Sequence, residues 1–152
     1  MKPTLNILLF LLALLGFGAV AGGGLLIISP SGELITMPLS MLDNSPFNTF
    51  LIPGILLFIF LGLVPLLLIF ALLKKTKSKL AERLNFFNDM HWVWTYTIYI
   101  AFSLIVWIQM EMVYLQAILW LHTFYMFYAV VIIFVALLPQ VRNLYKIKPI
   151  EI

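Results

Sequence analysis

The segment Trp107–His122, WIQMEMVYLQAILWLH, lies within an almost wholly apolar run that extends from Trp92 to about Gln140. As a single helix this run would be ~73 Å long, whereas a bilayer has ~30 Å of hydrocarbon and is crossed by about 20 residues. The run must therefore fold into two spans, although no glycine or proline in the quoted segment marks a turn. We expect the turn near Glu111–Ala117, so the segment predicts a helical hairpin.

The remainder of the chain is also strongly apolar. Of its 152 residues 64% are hydrophobic and 10% are charged, whereas a soluble domain carries roughly 25% charged residues. Two further uncharged runs precede the hairpin. The sequence therefore predicts an all-α membrane protein, a single domain of four transmembrane helices in a bundle. Its spans are expected at about 5–28, 47–73, 92–112 and 117–140, with a basic inner loop at 74–91. The outer loop at 29–46 is unusually apolar, so we expect it to cap the bundle rather than to lie on the membrane surface.

The basic residues indicate how the predicted bundle is oriented. Lys2 precedes the first span, and the loops at 29–46 and between the last two spans contain no lysine or arginine. Basic residues in short loops stay on the cytoplasmic side, so both termini should be cytoplasmic, an N-in/C-in topology. The other basic residues that support this orientation are Lys74, Lys75, Lys77, Lys79 and Arg83 in the inner loop and Arg142, Lys146 and Lys148 in the tail.

The inner loop is expected to contact membrane lipids. Each basic residue near an anionic headgroup contributes roughly 1 kcal/mol to such binding. A basic loop beside a membrane usually reflects topology, so no nucleic-acid partner is expected. Asp89 is the expected N-cap of the third span, His91 an interfacial residue, and Asp43, Asn44 and Ser45 the expected caps of the second span.

The first span admits two further interpretations. Lys2, an apolar stretch and Ala19-Val20-Ala21 resemble a cleavable signal peptide, but the apolar run continues to Ile28, beyond the usual length of such a segment. Gly18 and Gly22 are four residues apart, as are Ala19 and Gly23, and small residues at this spacing allow close helix packing, either in a homodimer or within the bundle. We favour an uncleaved span and packing within the bundle, because three other helices compete for that surface.

The second span contains two prolines, Pro53 and Pro65. A proline inside a helix removes a backbone donor and clashes with the preceding turn, so a bend is expected. No polar side chain lies between Phe50 and Leu73 to bind a solute. We therefore interpret the prolines as structural.

The hairpin carries the candidate site. Trp107, Glu111 and Tyr114 share one face of the third span, and His122 and Tyr125 share a face of the fourth. With a turn near Leu115, Glu111 and His122 would differ in depth by only about 4–5 Å and could meet. These five residues form the predicted ligand-binding set.

Glu111 and His122 are also the catalytic candidates, because a carboxylate–imidazole pair can relay protons or act in acid–base chemistry. An ionisable residue within a membrane is a functional candidate. The alternative is that Glu111 is only the hydrated tip of the hairpin. Two scattered histidines without a carboxylate cluster do not predict a metal site. No motif for a cofactor is present.

Part of the chain resembles small, uncharacterised four-helix bacterial membrane proteins. The matching residues are Gly22–Gly24, Pro30-Ser31-Gly32, Leu42, Ser45-Pro46-Phe47, Pro53-Gly54, and the W-I-x-x-E and Leu-Gln elements of WIQMEMVYLQ. The resemblance implies a multi-pass protein of the bacterial cytoplasmic (inner) membrane and carries no assigned activity. A looser similarity to DoxX-like four-helix proteins rests on size and the number of spans alone.

Three functions remain open at this point. The first is non-catalytic: an accessory or assembly partner in a larger membrane complex, or a binder of a lipid-like ligand. The second is an enzyme that uses Glu111 and His122 on a lipophilic substrate at the outer leaflet, by analogy with four-helix sterol isomerases. An ion or solute pathway ranks last, because the first two spans supply no line of polar residues along the bundle axis.

Overall fold

The computed structural model describes residues 3–147, and within that range the chain is helical with no β-strand. Four helices are long and apolar enough to cross a membrane: α1 (Pro3–Ile28), α2 (Leu51–Lys74), α3 (Trp92–Leu115) and α4 (Trp120–Leu137). The prediction of an all-helical chain with four candidate spans is thereby confirmed. Lys2 and Lys148, which entered the predicted orientation, lie outside the described residues.

The turn between α3 and α4 lies at the C-terminal edge of the predicted range, Glu111–Ala117. Helix α3 continues past Glu111 to Leu115, and Gln116 then adopts a left-handed conformation with φ 48°. The connection occupies only residues 116–119. This tight hairpin sets the last turn of α3 beside the first turn of α4.

Helix α2 begins four residues later than predicted, because residues 45–50 are held by other hydrogen bonds. The Ser45 hydroxyl accepts from the backbone N–H of Phe47 at 3.2 Å. The backbone N–H of Phe50 donates to the Pro30 carbonyl at 2.9 Å. Phe50 is the N-cap residue and supplies no side-chain hydrogen bond. The prediction that Asp43, Asn44 and Ser45 cap this helix was therefore wrong.

The segment 29–50, called the outer loop below, has its own small apolar core. It contains two 3-10 helices, Glu33–Ile35 and Leu39–Leu42. Leu42 and Phe50 pack with Leu26 of α1 in a buried cluster. The loop is therefore anchored on the bundle.

Glycines allow α1 and α2 to pack closely at two points. A Cβ added to Gly23 would lie 2.7 Å from the Gly54 carbonyl oxygen, and one added to Gly16 would lie 3.1 Å from that of Gly62. Gly16 and Gly23 are seven residues apart, which is two α-helical turns. Gly54 and Gly62 are eight residues apart. The stretch Leu57–Leu63 between and around them is π-helical, and a π-helical turn contains nearly one residue more than an α-helical turn. The π-helical stretch therefore keeps both α2 glycines facing α1.

The glycines predicted to mediate packing, Gly18 and Gly22, do not form these contacts. Gly18 is exposed, and an added Cβ at Gly22 would make only ordinary contact, at 3.8 Å from Leu57. The residues that pack inside the bundle are Gly16, Ala19 and Gly23. The expected packing within the bundle is therefore confirmed for Ala19 and Gly23 and was wrong for Gly18.

All lysine and arginine residues of the described range lie at one end of the bundle, which we call the basic end. It comprises the start of α1, the segment 75–91 with the short helix Lys79–Arg83, and the chain after α4 with the short helix Pro139–Tyr145. The opposite end, which we call the loop end, comprises the outer loop and the 116–119 turn.

The start of α3 at the basic end is capped by His91, whose Nδ1 accepts from the Val93 N–H at 3.4 Å. Burial lowers the pKa of His91, which favours the neutral ring that this hydrogen bond requires. Asp89, the predicted cap, instead lies 3.5 Å from Arg142 and accepts the Ile147 N–H through its backbone carbonyl. The prediction of Asp89 as N-cap was wrong.

Candidate functional site

The α3–α4 hairpin brings three of the predicted site residues together. The His122 Nε2 atom lies 3.8 Å from Glu111 Oε2. The Trp107 indole N–H donates to Glu111 Oε1 at 2.9 Å, from one helical turn away. The carboxylate is thus oriented by its own helix and faces the imidazole of the next helix. Because 3.8 Å is too long for a hydrogen bond, Oε2 remains free to accept one.

His122 also has a structural role that sequence reasoning did not assign to it. Its Nδ1 accepts from the Leu119 N–H at 3.1 Å, while the His122 backbone N–H donates to the Leu119 carbonyl at 3.0 Å. These two bonds cap α4. In the neutral ring an accepting Nδ1 places the proton on Nε2, the atom that faces Glu111. His122 therefore presents an N–H toward the carboxylate.

The two members of the pair differ in exposure. The His122 side chain is 5% exposed and the Glu111 side chain is 34% exposed. The imidazole is enclosed by the hairpin, whereas the carboxylate remains accessible. Glu111 is thus the accessible member of the pair, and His122 is held within the hairpin by its capping bond.

Glu111 forms part of the wall of a cavity of about 620 Å³ between α2, α3 and the outer loop. Sites for small molecules typically have volumes of about 300–1,000 Å³ and are mostly apolar with a few polar groups. The apolar wall comprises Leu26, Met37, Leu42, Phe47, Phe50, Pro53, Leu56, Phe60, Leu61, Phe102, Val106, Met110 and Leu115. Glu111 is the one charged residue lining this cavity.

The other polar residues of the wall are Ser45, Tyr99, Ser103, Trp107 and Tyr114. Two of them are engaged elsewhere. The Tyr99 hydroxyl donates to the Leu84 carbonyl at 2.9 Å and accepts the Phe86 N–H at 3.3 Å, and Ser45 bonds within the outer loop. The cavity therefore has a long apolar body and a carboxylate close to the loop end.

The structure divides the predicted ligand-binding set. Trp107, Glu111 and Tyr114 line the cavity, whereas His122 and Tyr125 do not. Tyr125 packs instead against the aromatic rings of Phe124 and Tyr128 on its own helix, with centroids 5.3 and 6.1 Å away. His122 and Tyr125 of α4 thus lie outside the lining of the cavity.

Sequence reasoning missed the half of the cavity that comes from α2 and the outer loop. Phe47 packs edge-on against Tyr114 with centroids 6.5 Å apart, and Met37 and Leu42 cover the cavity from the loop. The apolar character of the loop did predict that it covers the bundle, and the packing of Leu42 and Phe50 confirms this, but it did not predict a cavity beneath the loop.

No group of three or more His, Cys, Asp or Glu side chains that could hold a metal ion occurs among residues 3–147. The chemistry available at the site is that of one accessible carboxylate at one end of an apolar cavity, hydrogen-bonded to the Trp107 indole and 3.8 Å from the His122 imidazole. Comparison with family models, curated proteins and solved structures gives no match for this chain.

Proposed function

We propose that this chain is a multi-pass protein of the bacterial cytoplasmic membrane that binds a lipid-like molecule between α2 and α3. The observation that carries the proposal is the apolar cavity of about 620 Å³ with a single carboxylate in its wall. From Tyr99 to Glu111 this wall extends ~18 Å along α3. An alkyl chain would occupy the apolar body, and the polar head of the ligand would lie beside Glu111.

The proposed orientation places the basic end in the cytoplasm and the cavity toward the outer leaflet. It is supported by the described charges, since all the basic residues lie at the basic end and Glu33, Asp43 and Glu111 lie at the loop end. At the basic end, Leu80 and Phe86 are 72% and 81% exposed beside lysines and an arginine. Such a surface suits contact with anionic headgroups.

The resemblance to small bacterial membrane proteins supports the location. It is compatible with an accessory role in a larger membrane complex. Gly18 is exposed on α1 and so offers a surface of small residues for another helix, in such a complex or in a homodimer. Ligand binding is the part of the proposal that the cavity supports directly.

The test introduces a larger uncharged side chain into the wall of the cavity. Val106 lines the cavity and is 61% exposed, whereas Val130 on α4 is 54% exposed and does not line it. In purified wild-type protein, dodecanol should bind with one saturable site, measured by mass spectrometry of the intact protein in a neutral detergent. Val106→Trp should reduce that binding at least tenfold, and Val130→Trp should leave it within twofold. Equal binding by both variants would contradict the proposal.

An enzyme acting on a lipophilic substrate is the second candidate, favoured by the Trp107–Glu111–His122 arrangement. In this role Glu111 would transfer the proton and His122 would orient it. Mass spectrometry of the lipids that co-purify with wild type and with Glu111→Gln separates the two functions. A binder retains the same molecules in both proteins, or loses them in the variant. An enzyme accumulates a different molecule, its unconverted substrate, in the variant.

A further inference from the structure

We infer that the head of the bound amphiphile carries a positive charge, as in an alkylammonium ion or a lipid amine. The inference rests on the proposed function and specifies its ligand class. Three features support it: the charge of the cavity wall, the hydrogen bonding of Glu111, and the aromatic rings around that residue.

The cavity wall has no cation to receive an anionic head. Between residues 3 and 73, and again between residues 84 and 141, the sequence contains no lysine or arginine, and every lining residue falls within these ranges. A phosphate or carboxylate head would therefore lie beside Glu111 without a counter-charge, which is unfavourable at a site partly removed from water. A positively charged head would meet a carboxylate.

The surroundings of Glu111 favour its role as a hydrogen-bond acceptor. Trp107 donates to Oε1, and the capping geometry of His122 aims an N–H toward Oε2. The hydrogen bond from Trp107 favours the charged form of the carboxylate. At 3.8 Å from His122, Oε2 retains the capacity to accept from an ammonium head, and such a charge-assisted bond is stronger than a neutral one.

Aromatic rings line the cavity near the same position. Trp107 lies one helical turn before Glu111, Tyr114 lies three residues after it, and Phe47 reaches Tyr114 from the outer loop. The faces of such rings attract a cation placed within about 6 Å. A neutral alcohol head could accept or donate a hydrogen bond here, but it would gain neither the ion pair nor the attraction to the rings.

The experiment compares three probes with the same alkyl chain: dodecylammonium, dodecanol and dodecanoate. Their affinities for the purified full chain are measured at pH 8 by mass spectrometry of the intact protein in a neutral detergent. Dodecylammonium should bind about tenfold more tightly than dodecanol, and dodecanoate should bind most weakly. In Glu111→Gln the ratio of the first two affinities should fall to about one. Glu33→Gln removes the same charge at the loop end outside the cavity and should preserve the ratio.

Each failure has a distinct meaning. If dodecanoate binds as tightly as dodecylammonium, or if Glu33→Gln lowers the ratio as much as Glu111→Gln does, the inference of a cationic head is overturned. If dodecanol binding is saturable and sensitive to Val106→Trp but no ammonium preference exists, the lipid-binding function stands and this inference alone fails. If no probe binds saturably, the proposed function itself fails. Saturable dodecanol binding by Glu111→Gln also shows that the variant is folded.

Discussion

The two ends of the bundle are held together in different ways. At the basic end, side chains bond to backbone far away in sequence: the Trp94 indole donates to the Ala136 carbonyl at 2.8 Å, and the Tyr145 hydroxyl to the Leu72 carbonyl at 3.0 Å. At the loop end the corresponding bonds are local. Trp107 bonds Glu111 four residues away, and Leu119 bonds His122 three residues away. Side-chain hydrogen bonds thus join separate helices mainly at the basic end.

This difference accompanies the position of the cavity. In lipid, association between helices depends on close packing and on hydrogen bonds between helices, because burial of apolar surface gives little driving force. At the basic end, the indole of Trp92 in α3 donates to the carbonyl of Thr76, just after α2, at 2.7 Å. Tyr145 adds a second link, because its hydroxyl donates to Leu72 of α2 and its carbonyl accepts the His91 N–H at the start of α3. Toward the loop end their facing walls enclose the cavity. The molecule therefore combines a basic end joined by hydrogen bonds between helices with a cavity between α2 and α3 toward the loop end.

The largest expected effect concerns which end faces out of the cell. The chain contains no cysteine, so single cysteines can be introduced on an unlabelled background. Ser40 is exposed at the loop end and Asn88 at the basic end. In spheroplasts, Ser40→Cys should react with a membrane-impermeant maleimide, and Asn88→Cys should react only after lysis. The reverse pattern would place the cavity on the cytoplasmic side and refute the proposed topology.

The next largest effect is expected from loss of hydrogen bonds at the basic end. Asn85 is 9% exposed; its amide donates to the Met90 carbonyl at 2.8 Å, and it accepts from the buried Thr95 hydroxyl at 2.6 Å. Asn85→Ala leaves these groups unpaired, so the free energy of unfolding in detergent should fall by about 2–3 kcal/mol. The matched control is the exposed Asn88→Ala, which should change it by less than about 0.5 kcal/mol. Equal losses in the two variants would show that the network does not stabilise this end.

The smallest effect concerns the loop end, where α1 and α2 remain tightly packed although α2 and α3 enclose a cavity. An added Cβ at Gly23 would approach backbone atoms of α2 to 2.7 Å, whereas one at Gly22 would find its nearest atom at 3.8 Å. Gly23→Ala should lower the free energy of unfolding by about 1–3 kcal/mol through overpacking. Gly22→Ala should be neutral or stabilise by up to ~1 kcal/mol through helix propensity. If both substitutions are neutral, the glycine crossing contributes little to the loop end.

The four helices could be predicted because length and composition alone determine them. The hairpin followed from the excessive length of the run 92–140, and the shared face of Trp107, Glu111 and Tyr114 followed from helical periodicity. The placement of Glu111 and His122 at similar depth required only the position of the turn. These inferences depend on neighbours in sequence, for which the geometry of one helix or one hairpin suffices.

The rest of the site depends on which helix faces packed together, and the sequence did not reveal that. A span that is apolar on every side gives no amphipathic signal for the face that packs inward. The α2 and outer-loop walls of the cavity were missed for this reason, and Gly18 was assigned to the face that Gly16 and Gly23 occupy. The capping predictions failed because residues 45–50 bond within the loop and His91 occupies the position expected for Asp89.

The π-helical stretch Leu57–Leu63 limits how the length of this chain can change in evolution. Gly54 and Gly62 of α2 are eight residues apart, and their partners in α1, Gly23 and Gly16, are seven apart. The additional residue of the π-helical stretch lets both α2 glycines face their partners. Deletion of one residue from the stretch would restore regular α-helix but rotate one half of α2 by about 100° relative to the other. Either the crossing with α1 or the wall that Phe60 gives to the cavity would then be lost. Homologues that keep both features should retain Gly54, Gly62 and the number of residues between them, and should tolerate substitution only at positions of Leu57–Leu63 that contact neither α1 nor the cavity.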